Sequence, residues 1–184
     1  MADKNEQAVQ RARELAKQAF EAQKLFADYS QDKVDRIVES MAKAGYEHAA
    51  RLANLAVEET GIGRESDKII KNQFASKNLY ESIKDTKTVG VLNRDEARKI
   101  VEIAAPAGVI VAIIPTTNPT STVIFKSMIS LKARNSVVIS PHPRAIKACV
   151  ETARIMEEAA VLAGAPKGLI QCLDVASMAA ATEL

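Results

Sequence analysis

Apolar residues recur every three to four positions through the first 84 residues, then give way to short uninterrupted apolar runs. That switch predicts helices first and a strand–helix alternation afterwards. Over residues 3–28 the stripe Ala8, Ala12, Leu15, Ala19 and Ala22 predicts a helix closed by Phe26 and Tyr29. Ser30 suits an N-cap for a second helix with Val34, Ile37, Val38, Met41 and Ala42 inward. Gly45 reads as a break or kink before residues 46–60 resume with Ala49, Leu52, Ala53 and Ala56. Gly61 and Gly63 end that segment, since glycine takes the left-handed cap at little cost. A third helix, roughly 65–84, carries Ile69, Ile70, Phe74 and Ile83. These helices read as a solvated layer with no chemistry of their own.

The texture changes at residue 86. Residues 86–92 are β-branched, 93–96 are turn-like and 98–104 alternate again, which predicts a β-hairpin that projects from the core. Pro106 and Gly108 then lead into Val109–Ile114, six apolar residues bounded by turn signals, the signature of a strand buried on both faces. Pro119 suits the first turn of a helix, where its missing N–H costs nothing. That helix runs over about 120–133 with Ile124, Phe125, Met128, Ile129 and Leu131, and Asn135 is placed to cap its end. A second short strand over 136–140, a helix over 144–163 stopped by Gly164, and a third strand over 169–173 follow, and residues 174–177 lead into a further helix. Strands alternating with helices of this length predict parallel βαβ units with right-handed crossovers. The fold class is α/β: helices over 1–85, a hairpin over 86–105, and part of a Rossmann-like parallel sheet over 106–184.

Composition narrows the possibilities. Of the 184 residues 47% are hydrophobic and 26% charged, a globular balance. Aromatics are only 4%, with no Trp, so the core is aliphatic. Basic residues exceed acidic ones by two and the two signs are interleaved, which argues against a nucleic-acid partner. No apolar run reaches the ~20 residues of a membrane span. The N-terminus is too polar for a secretory signal. Cys149 and Cys172 form no metal spacing, so no metal site is expected and a reducing cytoplasm is the default.

The candidate chemistry lies where the strands end. Ligands bind at the carboxyl edge of such sheets, and Thr116, Thr117 and Asn118 sit there. No G-x-G-x-x-G and no Walker A loop follows a strand, so the two commonest phosphate cradles are absent. Asn118 has an amide able to donate to a developing oxyanion, or it merely caps the next helix. His142, held between Pro141 and Pro143, either faces a ribose or adenine or belongs to a stiff connection. Cys149, on an apolar helical stripe, and Cys172, in a buried strand, read as packing residues.

The run Ile113–Thr122 (Ile-Ile-Pro-Thr-Thr-Asn-Pro-Thr-Ser-Thr), then Phe125-Lys-Ser, Ser130-Leu-Lys, Arg134-Asn and Ser140-Pro-His-Pro-Arg-Ala, resembles the CoA-acylating branch of the aldehyde dehydrogenase superfamily. Within that branch it is most similar to the aldehyde dehydrogenase half of the bifunctional aldehyde–alcohol dehydrogenases. The likeness includes Glu59-Thr-Gly-Ile-Gly, residues 67–76, residues 84–92 and Ala163-Gly-Ala-Pro-Lys. The resemblance implies that Ile113, Ile114, Pro115, Thr116, Thr117 and Asn118 line the NAD site and that Asn118 also donates to the thiohemiacetal oxyanion. It implies that Ser140, His142 and Pro143 form the turn facing the adenosine ribose. It further implies that the 86–105 hairpin makes homo-oligomer contacts, with CoA and a short-chain aldehyde as substrates.

One departure stands out. The family's nucleophilic cysteine lies in a second domain, and neither Cys149 nor Cys172 has its sequence context. The chain therefore resembles the N-terminal portion of a longer enzyme, expected to be inactive alone. Two other readings stay open: a non-catalytic nucleotide-binding or assembly module, and another superfamily member such as an acyl-phosphate reductase. The Pro115–Pro119 loop argues against the last.

Overall fold

Small side chains let the first helix lie close against a sheet built by the second half of the chain. The computed structural model describes residues 2–175 and 177–184; of the predicted lead-in over 174–177, Ala176 lies outside the described residues. In order, α1 (Ala2–Phe26), α2 (Gln31–Glu47), α3 (Ala49–Thr60), α4 (Glu65–Gln73) and α5 (Leu79–Ile83) come first, the last two joined by a π-helical turn at Phe74–Asn78. The hairpin is β1 (Gly90–Asp95) and β2 (Ile100–Ala104). Then follow β3 (Val109–Ile114), α6 (Pro119–Lys132), β4 (Ser136–Pro141), α7 (Ile146–Leu162), β5 (Ile170–Cys172) and α8 (Met178–Glu183).

The second sheet is parallel in the order β3-β4-β5, as the alternation predicts. Ala112, Ile114, Val137, Ile139 and Ile170 face α6 and α7 in one core. Val138 and Leu173 pack on the opposite face against Ala8, Ala12, Leu15 and Ala19 of α1 and Ala180 of α8. Burying a side chain such as Leu15 or Ile139 stabilises by about 1.5–3 kcal/mol.

The central strand is β4, not β3. Ser136–Ser140 are buried throughout, whereas Val111 is 40% and Ile113 74% exposed. Both lie on the α1 face, where α1 covers Val109 but not the carboxyl half of β3. The expectation of a β3 buried on both faces is thus corrected: an unbroken apolar run does not say which face is covered.

Gly45 does not break α2. A β-carbon there would lie 3.0 Å from Ser76 Cβ and 3.3 Å from Ile124 Cγ2, so the glycine serves close helix packing. The third helix also departs from its apolar pattern. Ile70 and Phe74 are exposed, Ile69 and Ile83 half-buried, and Lys68, Asn72, Ala75 and Ser76 turn inward. Asn72 reconciles that polar face with burial. Its Nδ2 donates to the Ala49 carbonyl at 3.0 Å and its Oδ1 accepts from Thr120 Oγ1 at 2.8 Å.

In the hairpin the turn falls at residues 96–99 rather than 93–96. Asp95 Oδ1 accepts the Arg98 N–H at 2.9 Å and Lys99 takes a positive φ of 58°. Ser30 stands at the N-cap of α2 without a side-chain cap bond. The left-handed residue ending α6 is Arg134 (φ 60°), not Asn135; Asn135 Oδ1 instead accepts the Gly108 N–H at 2.9 Å. Cys149 is buried as expected, whereas Cys172 on edge strand β5 is only half-buried. Among the described residues no helix is long and apolar enough to cross a membrane, and no cluster of three His, Cys, Asp or Glu is placed to hold a metal ion.

Candidate functional site

Parallel pairing brings the ends of β3 and β4 side by side, so the loops 115–118 and 141–145 form one rim. The His142 N–H donates to the Ile114 carbonyl at 3.2 Å, which carries the pairing one step past the strands. Helix α4 then crosses the first loop from outside the sheet.

Three ammonium groups bind three oxygens around that loop. Lys68 donates to the Thr117 carbonyl at 2.8 Å, Lys71 to Asn118 Oδ1 at 2.9 Å and Lys126 to the Ile113 carbonyl at 3.0 Å. None of the three pairs with a carboxylate among the described residues. Lys68 is only 5% exposed; burial, helped by the charge of Lys71, pushes its ammonium below the usual lysine range. The rim is therefore electropositive, a setting that favours anionic ligands and developing negative charge.

Asn118 occupies the position before α6, but its amide does not cap the helix. The first turn is held differently: Pro119 needs no acceptor, and Thr122 Oγ1 donates to the Asn118 carbonyl at 2.6 Å. Freed from capping, the amide turns outward, with Nδ2 donating to Thr117 Oγ1 at 3.2 Å. It lies on the wall of an open groove of about 800 Å³. The apolar walls are Ile70, Phe74, Leu79 and Phe125, and Lys71 and Asn118 supply the polar end. Phe74 (67% exposed) and Phe125 (41%) are large rings left facing solvent.

The other predicted site residues divide by burial. Ile113, Pro115, Thr117, His142 and Pro143 are exposed on the rim and Thr116 is half-buried. Ile114 (1% exposed) and Ser140 (6%) are buried beneath it. His142 Nδ1 accepts the Arg144 N–H at 3.1 Å, which leaves Nε2 as the donor of the neutral ring.

The end of α3 locks the second loop. Arg144 Nη2 donates to the Thr60 carbonyl at 2.9 Å, and the Glu59 carboxylate accepts the Lys147 and Ala148 N–H groups at 2.8 and 2.7 Å. The N-terminus of α7, a natural anion site, is thereby filled by the chain's own carboxylate. Burial pushes both thiols up, Cys149 to about 12 and Cys172 higher still.

Sequence reasoning missed Lys68, Lys71, Lys126 and the groove role of Phe74. One signal was present: Lys68, Asn72, Ala75 and Ser76 repeat at three-to-four spacing, a polar stripe inside a helix whose isoleucines sit side by side.

Comparison with known proteins follows the same lines. The model of the aldehyde dehydrogenase family matches residues 1–183. The bifunctional aldehyde-alcohol dehydrogenase AdhE of Escherichia coli K12 is 48% identical over 164 residues, 89% of this chain and 18% of its own length. An acetylating aldehyde dehydrogenase from Geobacillus thermoglucosidasius superposes with a TM-score of 0.97 at 54% identity, covering all of this chain and 41% of that one. Rhodopseudomonas palustris propionaldehyde dehydrogenase, solved with bound propionyl-CoA, matches at 30% identity and a TM-score of 0.78, covering 93% of this chain and 38% of its own. The chain thus spans less than half the length of each of these relatives. It belongs to the aldehyde dehydrogenase family and is similar to that family's acylating members.

Proposed function

We propose that the polypeptide carrying this chain is a cytoplasmic enzyme that interconverts a short-chain aldehyde and its acyl-CoA with NAD(H) and CoA, and that this chain supplies part of the cofactor rim and the oxyanion donor. The observation that carries the reading is the Asn118 amide, released from helix capping, held by Lys71 and lining a largely apolar groove.

The residues present fit a dinucleotide in part. The exposed face of Val111 and Ile113 offers an apolar bed, Pro115, Thr116 and Thr117 border it, and His142 presents Nε2–H beside Pro143 for a ribose hydroxyl. The pyrophosphate has no seat at α7, whose N-terminus Glu59 occupies. NAD, when bound, supplies the acceptor for hydride.

A short acyl chain lies along Phe74, Leu79 and Phe125, with its carbonyl at Asn118. A cysteine thiolate from another part of the polypeptide adds to that carbonyl, because Cys149 is buried and Cys172 half-buried and desolvation raises both thiols. As the oxygen becomes an oxyanion, Asn118 Nδ2–H donates to it. A preorganised donor of this kind is worth about 3–4 kcal/mol in the transition state. Loss of hydride leaves a thioester, from which the CoA thiolate takes the acyl group and releases the cysteine.

The hairpin is the surface we assign to contacts with a second copy. Its principal packing is β1 on β2, and Leu92, Ile100, Val101 and Ile103 are 44–65% exposed. A two-stranded ribbon with such side chains gains stability by covering them.

The test is NADH formation from acetaldehyde by the full polypeptide. Strict dependence on CoA is expected, and the 184-residue chain alone is expected to give none. NADH formation that ignores CoA overturns the acylating reading.

A further inference from the structure

We propose that Lys71 is a positioning residue that fixes which end of the Asn118 amide is held at α4 and which end is left to donate to a ligand; the inference rests on Asn118 acting as the oxyanion donor. The two ends of a carboxamide are nearly equal in size, so shape alone does not choose between them. Chemistry does. An ammonium only donates, the amide oxygen only accepts and the amide nitrogen only donates. With Lys71 Nζ 2.9 Å from Oδ1, a flipped amide places donor against donor and loses a charge-assisted hydrogen bond. Oδ1 is held at α4, and Nδ2 points away from it. Thr117 Oγ1 takes one Nδ2 hydrogen at 3.2 Å, leaving the second for a ligand.

The loop that carries Asn118 is itself held in place. One helical turn earlier on α4, Lys68 grips the Thr117 carbonyl at 2.8 Å, fixing the peptide that carries Asn118. Gly63 leaves room for that side chain: a β-carbon there would lie 3.3 Å from Lys68 Cε. Thr122 holds the Asn118 carbonyl from the opposite side at 2.6 Å. Backbone and side chain of the donor are therefore set before any substrate arrives. The Lys71 charge also draws electron density through the amide and strengthens its N–H as a donor.

Two measurements test this. In the full polypeptide, Lys71→Met is expected to lower kcat about tenfold with KM for the aldehyde within about twofold, and Lys71→Arg, also a pure donor, to restore most of the loss. In the Asn118→Ala background, Lys71→Met is expected to have no further effect, because it acts through that amide. A Lys71→Met loss that persists without Asn118, or no loss at all, overturns the proposal. The second measurement is independent of activity. In the 184-residue chain, the Asn118 carboxamide is expected to give one sharp pair of proton resonances, which broadens or doubles in Lys71→Met while resonances of β4 and α7 stay in place. An unchanged pair overturns the positioning role. If the pair changes while Asn118→Ala keeps full activity, Lys71 still orients the amide and the oxyanion reading fails instead.

Discussion

The Glu59 carboxylate at the end of α3 accepts the Ala148 N–H at 2.7 Å, so the first turn of α7 is capped from a different helix, 89 residues away in sequence. The same carboxylate takes the Lys147 N–H. Two orphan donors and the positive end of the helix dipole are satisfied together, and the His142 turn is pinned to the helical layer.

Glu59→Ala removes that cap. It is expected to lower stability by about 1–2 kcal/mol in denaturant unfolding. Glu59→Gln keeps one acceptor and is expected to lose less than half as much.

Lys132 places a charge 4% exposed between α2 and α6, donating to Asp35 Oδ1 at 2.6 Å and to the Lys84 carbonyl at 3.0 Å. Lys132→Met leaves the Asp35 carboxylate, 35% exposed, without its cation and with only the Gln31 amide donating to it. Partial hydration softens the penalty, so about 2–3 kcal/mol of destabilisation is expected at neutral pH. The double variant Lys132→Met with Asp35→Leu is expected to recover most of it in thermal unfolding.

Glu151 joins α7 to α3 through Arg51 and pairs with Arg154 one turn along its own helix. Hydrogen bonding from Arg154, ahead of the charges of Arg154 and Arg51, pulls its carboxyl down to about 2. A lowered folded value means the stabilisation is fully present above the unfolded value of 4.5 and is lost as pH falls toward 2. Both arginines are half-exposed and screened, so Glu151→Gln is expected to cost about 1–2 kcal/mol at pH 7. That difference should shrink between pH 4.5 and 2 in urea titrations. A constant difference across the window would contradict the pairing.

Much of this was legible in the chain. The α1 stripe of alanines, the three parallel strands and the loop ending in Asn118 follow from periodicity and turn chemistry, because a packed face repeats at its element's own period. The acylating resemblance rested on the long run from Ile113 to Thr122, and the matched relatives agree with it. What was not legible is long-range. Exposure of Val111 and Ile113 depends on where α1 stops along the sheet. The inward turn of Lys68 and Asn72 depends on acceptors supplied by Thr117, Ala49 and Thr120, and hydropathy scores those residues as surface. Gly45 reads as a helix breaker until Ser76 is seen against it. The two readings of Asn118 differ only in where its amide points, and the Lys71 side chain that binds its oxygen comes from 47 positions earlier.

The most direct test of the account is to compare Asn118→Asp with Asn118→Ala in the full polypeptide, measuring kcat for CoA-dependent oxidation of acetaldehyde. Aspartate keeps the shape and pairs better with Lys71, so Asn118→Asp should fold at least as well as Asn118→Ala. It also removes the donor and adds a negative charge beside the developing oxyanion. Asn118→Ala is expected to lower kcat about 10²–10³-fold and Asn118→Asp further still. Retention of more than a tenth of the wild-type kcat by Asn118→Asp would contradict the assignment of Asn118 as the oxyanion donor.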